Sequence, residues 1–389
     1  MGSQKLQIMI PGNRLAQQYR SIQVSLDEAI SRVTQRGVFT PSIEVAAFEE
    51  EFARYIGVRY AISVASGGTA VMLALRALGV KDGDEVISVP NVDVAASAPI
   101  AHAGGRAIWV DILPRTYNLD PDQLEAQITP KTRAIVAVHM YGNPAAMNRI
   151  LEIAGRFEIP VVEDAALALG AVYHGQQVGA IGRIGCFSFA PGKILGALGK
   201  AGMVVTNDPD LAKEVRVLST YGFDPSSLQA IQSGTAGARF EYLVEGFNAS
   251  MDELQGAILR VKLKHLDRWL RGRRENARLY RKLLSVLGPE HLLLPEDTPG
   301  SEPVFRFFVV RSPKRDGLMK RLSETGIWSG LAYVPLLHVQ QVYQHLNYSI
   351  GSFPQAEKVS EELLCLPTVP ELSLQEVEKV SETVLQFFT

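Results

Sequence analysis

Lys193 is the last residue of the segment 187–193, which has the sequence FSFAPGK. Its residue types suit a site with a nucleophilic lysine. A short aromatic run delivers Ser188, and five residues later a turn of proline and glycine presents the lysine. A lysine amine forms Schiff bases with carbonyl compounds when its surroundings lower its pKa. An arbitrary lysine is far more often a solvated surface residue, so this segment alone does not define a site.

A second segment offers groups that bind an anion. Residues 66–69, with the sequence SGGT, lie between a predicted strand and a predicted helix. Small residues at a helix N-terminus let backbone N–H groups approach an anion, and the hydroxyls of Ser66 and Thr69 are extra donors. Glycine turns before helices are common, so a purely structural turn is the commoner explanation of this motif taken alone.

A third segment places a carboxylate at the end of a predicted strand. Asp164 follows the apolar run that begins at residue 160. Open α/β sheets bind ligands at the carboxyl ends of their strands. A buried carboxylate needs a cation or several hydrogen bonds, and the sequence leaves open whether a cofactor nitrogen or a structural arginine supplies them.

Together the three segments offer the groups that pyridoxal phosphate requires. The turn at 66–69 is a cradle for the phosphate, Asp164 a partner for the pyridinium nitrogen, and Lys193 an amine for the Schiff base. All three fall in one α/β region. The sequence therefore predicts a pyridoxal-phosphate site.

An alternation of strands and helices positions these segments. Seven apolar runs predict strands at 60–65, 85–90, 106–112, 134–140, 160–163, 186–189 and 203–206. Most are continuously apolar, as expected of a mostly parallel sheet with helices on both faces. Helical spacing occurs at 26–33, 45–56, 70–78 and 147–157, whereas 169–184 predicts a glycine-rich loop or short hairpin. The predicted fold class is α/β.

A different pattern follows residue 252. It predicts a long helix at 252–274, a strand at 304–310, a helix at 315–324, a strand near 327–334, and helices at 356–364 and 375–387. This mixture predicts a smaller C-terminal α+β domain. We expect a large domain over residues 1–260 and the small one over 261–389.

Composition excludes several classes of protein. The 389 residues carry 39 Lys and Arg against 41 Asp and Glu, so no overall charge attracts nucleic acid or an anionic membrane. No apolar run approaches the length of a membrane span, and the N-terminus lacks the apolar core of a signal peptide. Two cysteines are too few for a disulfide framework or a zinc site, and no histidine spacing predicts a metal. We expect a soluble, cytoplasmic protein without nucleic-acid or membrane partners.

The chain resembles the DegT/DnrJ/EryC1/StrS family of sugar aminotransferases. These are pyridoxal-phosphate enzymes of fold type I, the aspartate-aminotransferase fold, and usually act on nucleotide-linked keto-sugars. The motifs that carry the resemblance are LAQQY at 15–19, FEEEF at 48–52, VD at 110–111, TYNLD at 116–120, HMYG at 139–142, DELQ at 252–255 and LP at 366–367. They span nearly the whole sequence.

Matched positions imply roles around the cofactor. Lys193 would form the Schiff base and move the proton between cofactor and substrate carbons, and Asp164 would keep the pyridinium nitrogen protonated. Gly68 and Thr69 would offer backbone N–H groups to the phosphate, and Ser188 would offer a hydroxyl.

Other matched positions concern the neighbouring subunit and the substrate. Asn248 matches an asparagine that reaches the phosphate of the neighbouring subunit's cofactor, which implies an obligate homodimer with shared active sites. Tyr333 and His338 lie where the family has a tyrosine and a histidine near the sugar, a looser match.

Departures from the family pattern concentrate around the cofactor. Gly68 stands at a threonine position, Val94 at that of an aromatic residue that stacks on the pyridine ring, and Leu167 at that of a Gln or His that bonds the phenolic oxygen. Ser250 replaces a basic residue and Lys200 an acidic one. A hydrogen bond is worth about 0.5–1.5 kcal/mol net and the lost stacking about 1 kcal/mol. We therefore expect weaker cofactor binding, not its loss.

Three functions from different classes stay open at this point. The leading one is an aminotransferase that moves an amino group from glutamate or glutamine to a keto-sugar or keto-cyclitol. The second keeps pyridoxal phosphate but carries out elimination, racemisation or condensation, which the altered surroundings of the cofactor motivate. The third is a non-catalytic family member that acts as a binding partner. Retention of Lys193 and Asp164 favours the first.

Overall fold

Twelve short strands are found in the part of the chain that the structure describes. This computed structural model describes residues 9–224, 226–227 and 239–389. The strands are Tyr60–Val64 (β1), Glu85–Ser88 (β2), Arg106–Trp109 (β3), Thr132–Val138 (β4), Val161–Asp164 (β5), Val172–Tyr173 (β6), Gln176–Gln177 (β7), Ile184–Ser188 (β8), Gly202–Thr206 (β9), Ser301–Glu302 (β10), Phe308–Arg311 (β11) and Leu363–Leu366 (β12).

Helices separate most of these strands. Their bounds are Leu15–Ser21 (α1), Gln23–Arg36 (α2), Ile43–Ile56 (α3), Gly67–Ala77 (α4), Val94–His102 (α5), Pro121–Leu124 (α6), Met147–Arg156 (α7), Pro209–Ser219 (α8), Glu253–Leu263 (α9), Leu266–Leu284 (α10), Arg315–Glu324 (α11), Pro354–Glu362 (α12) and Leu374–Phe388 (α13). Among the described residues, no helix combines the length and the apolar character that crossing a bilayer requires.

Seven strands form one large sheet in the order β1-β9-β8-β5-β4-β2-β3. Strand β9 runs antiparallel to both of its neighbours, and all other pairs are parallel. The seven predicted runs all become strands of this sheet, so the predicted mostly parallel α/β fold is confirmed. The segment 169–184 contains the hairpin of β6 and β7, which β10 joins as a third strand.

Helices cover both faces of the sheet because successive side chains of each strand point to opposite sides. One core cluster contains Ile62 of β1 and the α4 and α5 side chains Leu73 and Ile100. A second contains the preceding residue of β1, Ala61, together with Phe48 of α3 and Leu259 of α9. Both faces are thus withdrawn from water, which leaves the carboxyl edge of the sheet for a ligand.

The prediction of one continuous helix over 252–274 is wrong, because the segment forms two helices. The chain forms α9, turns at Lys264 and His265, and continues as α10. Helix α9 packs on α2 and α3, whereas α10 packs on α13. The turn therefore leads the chain from the core beside the large sheet into a third core cluster, which contains Tyr280.

The C-terminal strands also differ from the prediction. Strand β11 begins only at Phe308 and pairs with β12. The helix predicted over 356–364 forms as α12 but ends at Glu362, so its last two predicted residues begin β12. The predicted strand near 327–334 is wrong, since it makes only isolated bridges at Ile327 and Gly330. Short apolar runs fit a helix or a strand equally well by pattern alone. The predicted helices at 315–324 and 375–387 are confirmed as α11 and α13.

Candidate active site

A cavity of about 380 Å³ lies at the carboxyl edge of the large sheet. Asp164 and Ser188, the last residues of β5 and β8, reach it, and α4 begins at its wall. Six of the predicted site residues line this cavity: Gly68, Asp164, Leu167, Ser188, Lys193 and Tyr333. The fold thus brings together residues that are up to 265 positions apart in the sequence, as the difference between 333 and 68 shows.

The N-terminus of α4 points backbone donors into the cavity. Ser66 caps the helix, and its Oγ accepts the Thr69 N–H at 3.1 Å and contacts the Thr69 hydroxyl at 2.8 Å. Among the described residues, no acceptor takes the N–H groups of Gly67 and Gly68. A helix N-terminus with free N–H groups and a positive dipole end binds anions. Thr69, which was expected to contribute its N–H, has that group engaged by the cap.

Glycine at position 67 is required by a close approach. A Cβ on Gly67 would overlap the Ser188 side chain and lie 3.0 Å from the Ser188 Cα. The missing side chain lets the end of β8 pass directly beside the first turn of α4. Ser188 thereby brings its hydroxyl to the same place as the free N–H groups of the helix.

Asp164 is a buried carboxylate with one unused oxygen. It is 4% exposed, and Oδ1 accepts the Ala166 N–H at 3.0 Å. The other oxygen has no hydrogen-bond partner in the described chain, and Asp164 lines the cavity. Burial raises the pKa of this carboxyl, while the Ala166 N–H and Lys193 act in the opposite direction. The alternative left open by the sequence was a structural arginine, and none of the described arginines acts on Asp164.

Lys193 has an amine of lowered basicity. Burial lowers its pKa from 10.5 to about 8, against the opposing effect of Asp164. Gly192, with a φ of +84°, turns the chain before the lysine, and the buried Lys262 ammonium donates to the Gly196 carbonyl beyond it. A substantial fraction of a lysine with this pKa is neutral near pH 8, and only the neutral amine attacks a carbonyl.

These groups fit pyridoxal phosphate. The free N–H groups of α4 suit its phosphate, the unused oxygen of Asp164 suits its pyridinium nitrogen, and Lys193 suits its aldehyde. Within the described residues, the two N–H groups, the Asp164 oxygen and the Lys193 amine have no hydrogen-bond partner. The cofactor supplies a partner for each of them.

Four predicted site residues lie outside the wall of the cavity, and one of them is Thr69, whose N–H is engaged by the helix cap. Val94, at the start of α5, is 49% exposed, although Asp93 and Ala95 on either side of it line the cavity. His338 is 2% exposed and bonds Glu357 at 3.0 Å. Asn248 is exposed and bridges the backbone of Thr220.

Sequence reasoning missed Arg306, which lies against the turn that carries Lys193. The sequence did hold a signal. Within the run 304–310 that predicts a strand, Arg306 is the one charged residue. Lys200 was noted only as a departure from a family pattern, and the structure places it in the cavity wall.

The sheet order, the strand-end carboxylate and the lysine turn define a fold-type I pyridoxal-phosphate transferase. The DegT/DnrJ/EryC1/StrS aminotransferase family matches residues 20–385, and the chain belongs to this family. It is a pyridoxal-phosphate-dependent aminotransferase.

Relatives and a solved structure resemble the chain over nearly its whole length. A pleiotropic regulatory protein of Geobacillus stearothermophilus is 38% identical, with 97% of this chain and 98% of the relative covered. The dTDP-3-amino-3,4,6-trideoxy-alpha-D-glucose transaminase of Streptomyces venezuelae is 36% identical, with 97% and 96% covered. The crystal structure of S. venezuelae DesV in complex with a ketimine intermediate has a TM-score of 0.91 at 36% identity, with 97% and 98% covered.

Proposed function

We propose that this aminotransferase moves an amino group from glutamate or glutamine to the carbonyl of a nucleotide-linked keto-sugar or of a keto-cyclitol. The observation that carries the proposal is the cavity, which joins a lysine of lowered pKa, a buried carboxylate and a helix N-terminus. The S. venezuelae relative is named for a dTDP-linked amino sugar. That name supports a nucleotide-linked sugar as the acceptor.

In this proposal, each residue of the cavity has a task. The N–H groups of Gly67 and Gly68 and the Ser188 hydroxyl hold the phosphate, and Asp164 holds the pyridinium nitrogen in its protonated form. Bound pyridoxal phosphate withdraws electrons and so acidifies the C–H bond beside the reacting amine. Lys193 Nζ removes that proton from the α carbon of the donor and delivers one to the former carbonyl carbon of the acceptor. An amine with a pKa of about 8 is matched to this work near neutral pH.

The substrate side of the proposed site consists of residues from the C-terminal part of the chain. Tyr333 lines the cavity and contacts the substrate in this proposal. His338, fixed by Glu357 and buried, holds the segment after Tyr333 in place and does not touch the substrate. Residues 1–260 then act as the cofactor domain, and residues 261–389 as the domain that closes the substrate site.

A second subunit completes the site in the proposed homodimer. Asn248 is exposed and lies outside the cavity of its own chain, which supports a reach into the neighbour's site. Sedimentation should then give a dimer, and Asn248→Ala should weaken cofactor binding without unfolding the protein. The buried free thiols of Cys186 and Cys365 support a reducing compartment, and we assign the protein to the cytoplasm.

The test is the two half-reactions measured separately. Protein loaded with pyridoxal phosphate should lose the visible absorbance of the cofactor when glutamate is added, and should release one 2-oxoglutarate per site. A dTDP-linked keto-sugar should then restore the absorbance and gain the amine. Lys193→Ala should abolish both steps, whereas the exposed Lys264→Ala, at the end of α9, should change neither. Transamination by Lys193→Ala at the wild-type rate would refute the assignment.

Leu167 favours a second candidate, an enzyme that uses pyridoxal phosphate for elimination, racemisation or condensation. It lines the cavity, is 5% exposed, and offers no hydrogen-bonding group to a ligand. Without a donor there, the electronic state of the ring differs from that in a site with Gln or His. Formation of a keto acid or an inverted amino acid, with no amine gained by any acceptor, would favour this candidate.

A further inference from the structure

Arg306 is a largely buried guanidinium without an acidic partner. Its Nε has no hydrogen-bond partner in the described chain. Burial lowers the pKa of Arg306, and the neighbours that act against this are Tyr333 and Cys365, neither of them a carboxylate. No Asp or Glu occurs among the residues that the structure does not describe, which are 1–8, 225 and 228–238. A buried cation is costly unless an anion pairs with it.

Neighbouring buried arginines are satisfied differently. Arg311 donates to Glu362 at 2.6 Å and to a backbone carbonyl at 2.7 Å. Arg273 also has a buried Nε without a partner, but its Nη1 lies 3.4–3.5 Å from three carbonyls, including that of Thr368. Among the described residues, the Arg306 guanidinium donates no hydrogen bond. Its donors are therefore available to a ligand.

The position of Arg306 is fixed beside the reacting lysine. Its Cζ lies 4.2 Å from the centroid of the Phe307 ring, a contact that orients a guanidinium plane. Its Nη2 lies 3.8 Å from the point that a Cβ of Gly192 would occupy, and Lys193 follows directly. Burial lowers the pKa of Lys193 and raises that of Tyr333, and the Arg306 charge acts on both as a smaller effect in the downward direction. Both of those residues line the cavity.

We infer that Arg306 binds the carboxylate of the amino donor and so holds the donor amine against Lys193. The inference rests on the proposed function. An amino acid carries its carboxylate on the same carbon as its amine, so an amine at Lys193 brings a carboxylate to the guanidinium beside it. The reacting carbon of a keto-sugar carries no such charge. A guanidinium fork binds a carboxylate through two parallel hydrogen bonds.

The test separates donor binding from the rest of the reaction. With protein loaded with pyridoxal phosphate, Arg306→Gln should raise the KM for glutamate by about 10- to 100-fold, the range of a hydrogen bond to a charged group. The acceptor half-reaction should change far less, since only the smaller effect of Arg306 on the pKa of Lys193 acts there. Arg306→Lys, which keeps the charge and loses the fork, should lie between. The control is Arg281→Gln, because Arg281 stacks on Phe305 at 5.0 Å but is paired with Asp297.

A binding measurement gives a readout that does not depend on turnover. Titration calorimetry with glutarate, a dicarboxylate without an amine, should show binding by the wild type and Arg281→Gln and at least about 10-fold weaker binding by Arg306→Gln. Unchanged glutarate affinity and unchanged KM in Arg306→Gln would overturn the inference. If the wild type binds glutarate through Arg306 but no amino acid gives up its amine, the proposed function fails and the carboxylate site stands. If Arg306→Gln does not fold, Arg306→Lys is measured instead. An unaltered KM for glutamate in folded Arg306→Lys would contradict carboxylate recognition by the guanidinium fork.

Discussion

Glu163 and Asp164 are adjacent on β5, yet only Glu163 has its hydrogen bonds satisfied by the protein. The Glu163 carboxylate accepts the His139 Nε2–H at 3.0 Å and three backbone N–H groups at 2.6–2.8 Å, from residues 179, 181 and 182. Asp164 accepts a single N–H. Adjacent strand residues point to opposite faces of the sheet. Glu163 therefore stabilises the loop after β7, whereas Asp164 lines the cavity.

This difference predicts opposite effects of two similar substitutions. Asp164→Asn should leave the stability of the cofactor-free protein unchanged or higher, because it removes a buried charge that has one partner. It should lower the rate of amine transfer by about 10²–10³-fold, as the loss of a preorganised electrostatic contact does. Urea denaturation and the glutamate half-reaction measure the two effects.

Glu163→Gln should behave in the reverse way. Its amide group would face N–H donors, which leaves buried donors unsatisfied and costs about 1–3 kcal/mol of unfolding free energy for each group affected. The folded fraction should still transfer the amine. Equal losses of activity in the two variants, after correction for folded protein, would contradict the division of roles.

The first turn of α4 predicts a contrast between two neighbouring glycines. Gly67→Ala should destabilise the protein by about 1–3 kcal/mol, because its Cβ would overlap Ser188 and force β8 away from the helix. Gly68→Ala should cost much less, since its Cβ would lie 3.3 Å from the Ala95 carbonyl and 3.6 Å from Pro99. Alanine also favours the helix by up to about 1 kcal/mol. Equilibrium unfolding of both cofactor-free variants checks the order, and a greater loss in Gly68→Ala would refute it.

The large sheet was predictable because its strands are short, apolar and separated by helices with clear spacing. The C-terminal part was not, for a physical reason visible in β12. Its four residues are all buried, so no alternation distinguishes a strand from the end of a helix. The turn between α9 and α10 was hidden in the same way, since both helices bury apolar residues up to the bend.

The site was predictable where chemistry and local geometry coincide. A lysine after a tight turn, an acid at a strand end and small residues before a helix can be read from local sequence, and the structure places all three in one cavity. Arg306 is different, because its proximity to Lys193 depends on a connection between separate parts of the fold. Only three-dimensional packing shows that its guanidinium has no acid beside it.

The lowered pKa of Lys193 predicts a pH-dependent stability difference in the cofactor-free protein. The folded-state pKa of about 8 lies below the ordinary 10.5. Below pH 8 both states hold the proton, so the cost of burying the charge is complete. Between pH 8 and 10.5 the unfolded chain binds more protons than the folded one, and stability therefore rises with pH.

Lys193→Met removes this cost. It should be more stable than the wild type by about 1–3 kcal/mol at pH 7, and the difference should shrink between pH 8 and 10.5. Lys262, whose pKa burial also lowers to about 8, is present in both proteins and cancels from the difference. Urea titrations at several pH values measure it, and a difference that does not change with pH would contradict the lowered pKa.

Leu167 predicts a gain of function in cofactor binding. Since its side chain lines the cavity, Leu167→Gln should place an amide donor beside the ring and tighten the binding of pyridoxal phosphate by about 2- to 10-fold, the range of one hydrogen bond. Leu167→Met, of similar volume and without a strong donor, should match the wild type. Equilibrium dialysis in a Lys193→Ala background measures this non-covalent affinity without a contribution from Schiff-base formation. Weaker binding by Leu167→Gln than by Leu167→Met would mean that the amide is buried without a partner, and that position 167 does not face an acceptor on the cofactor.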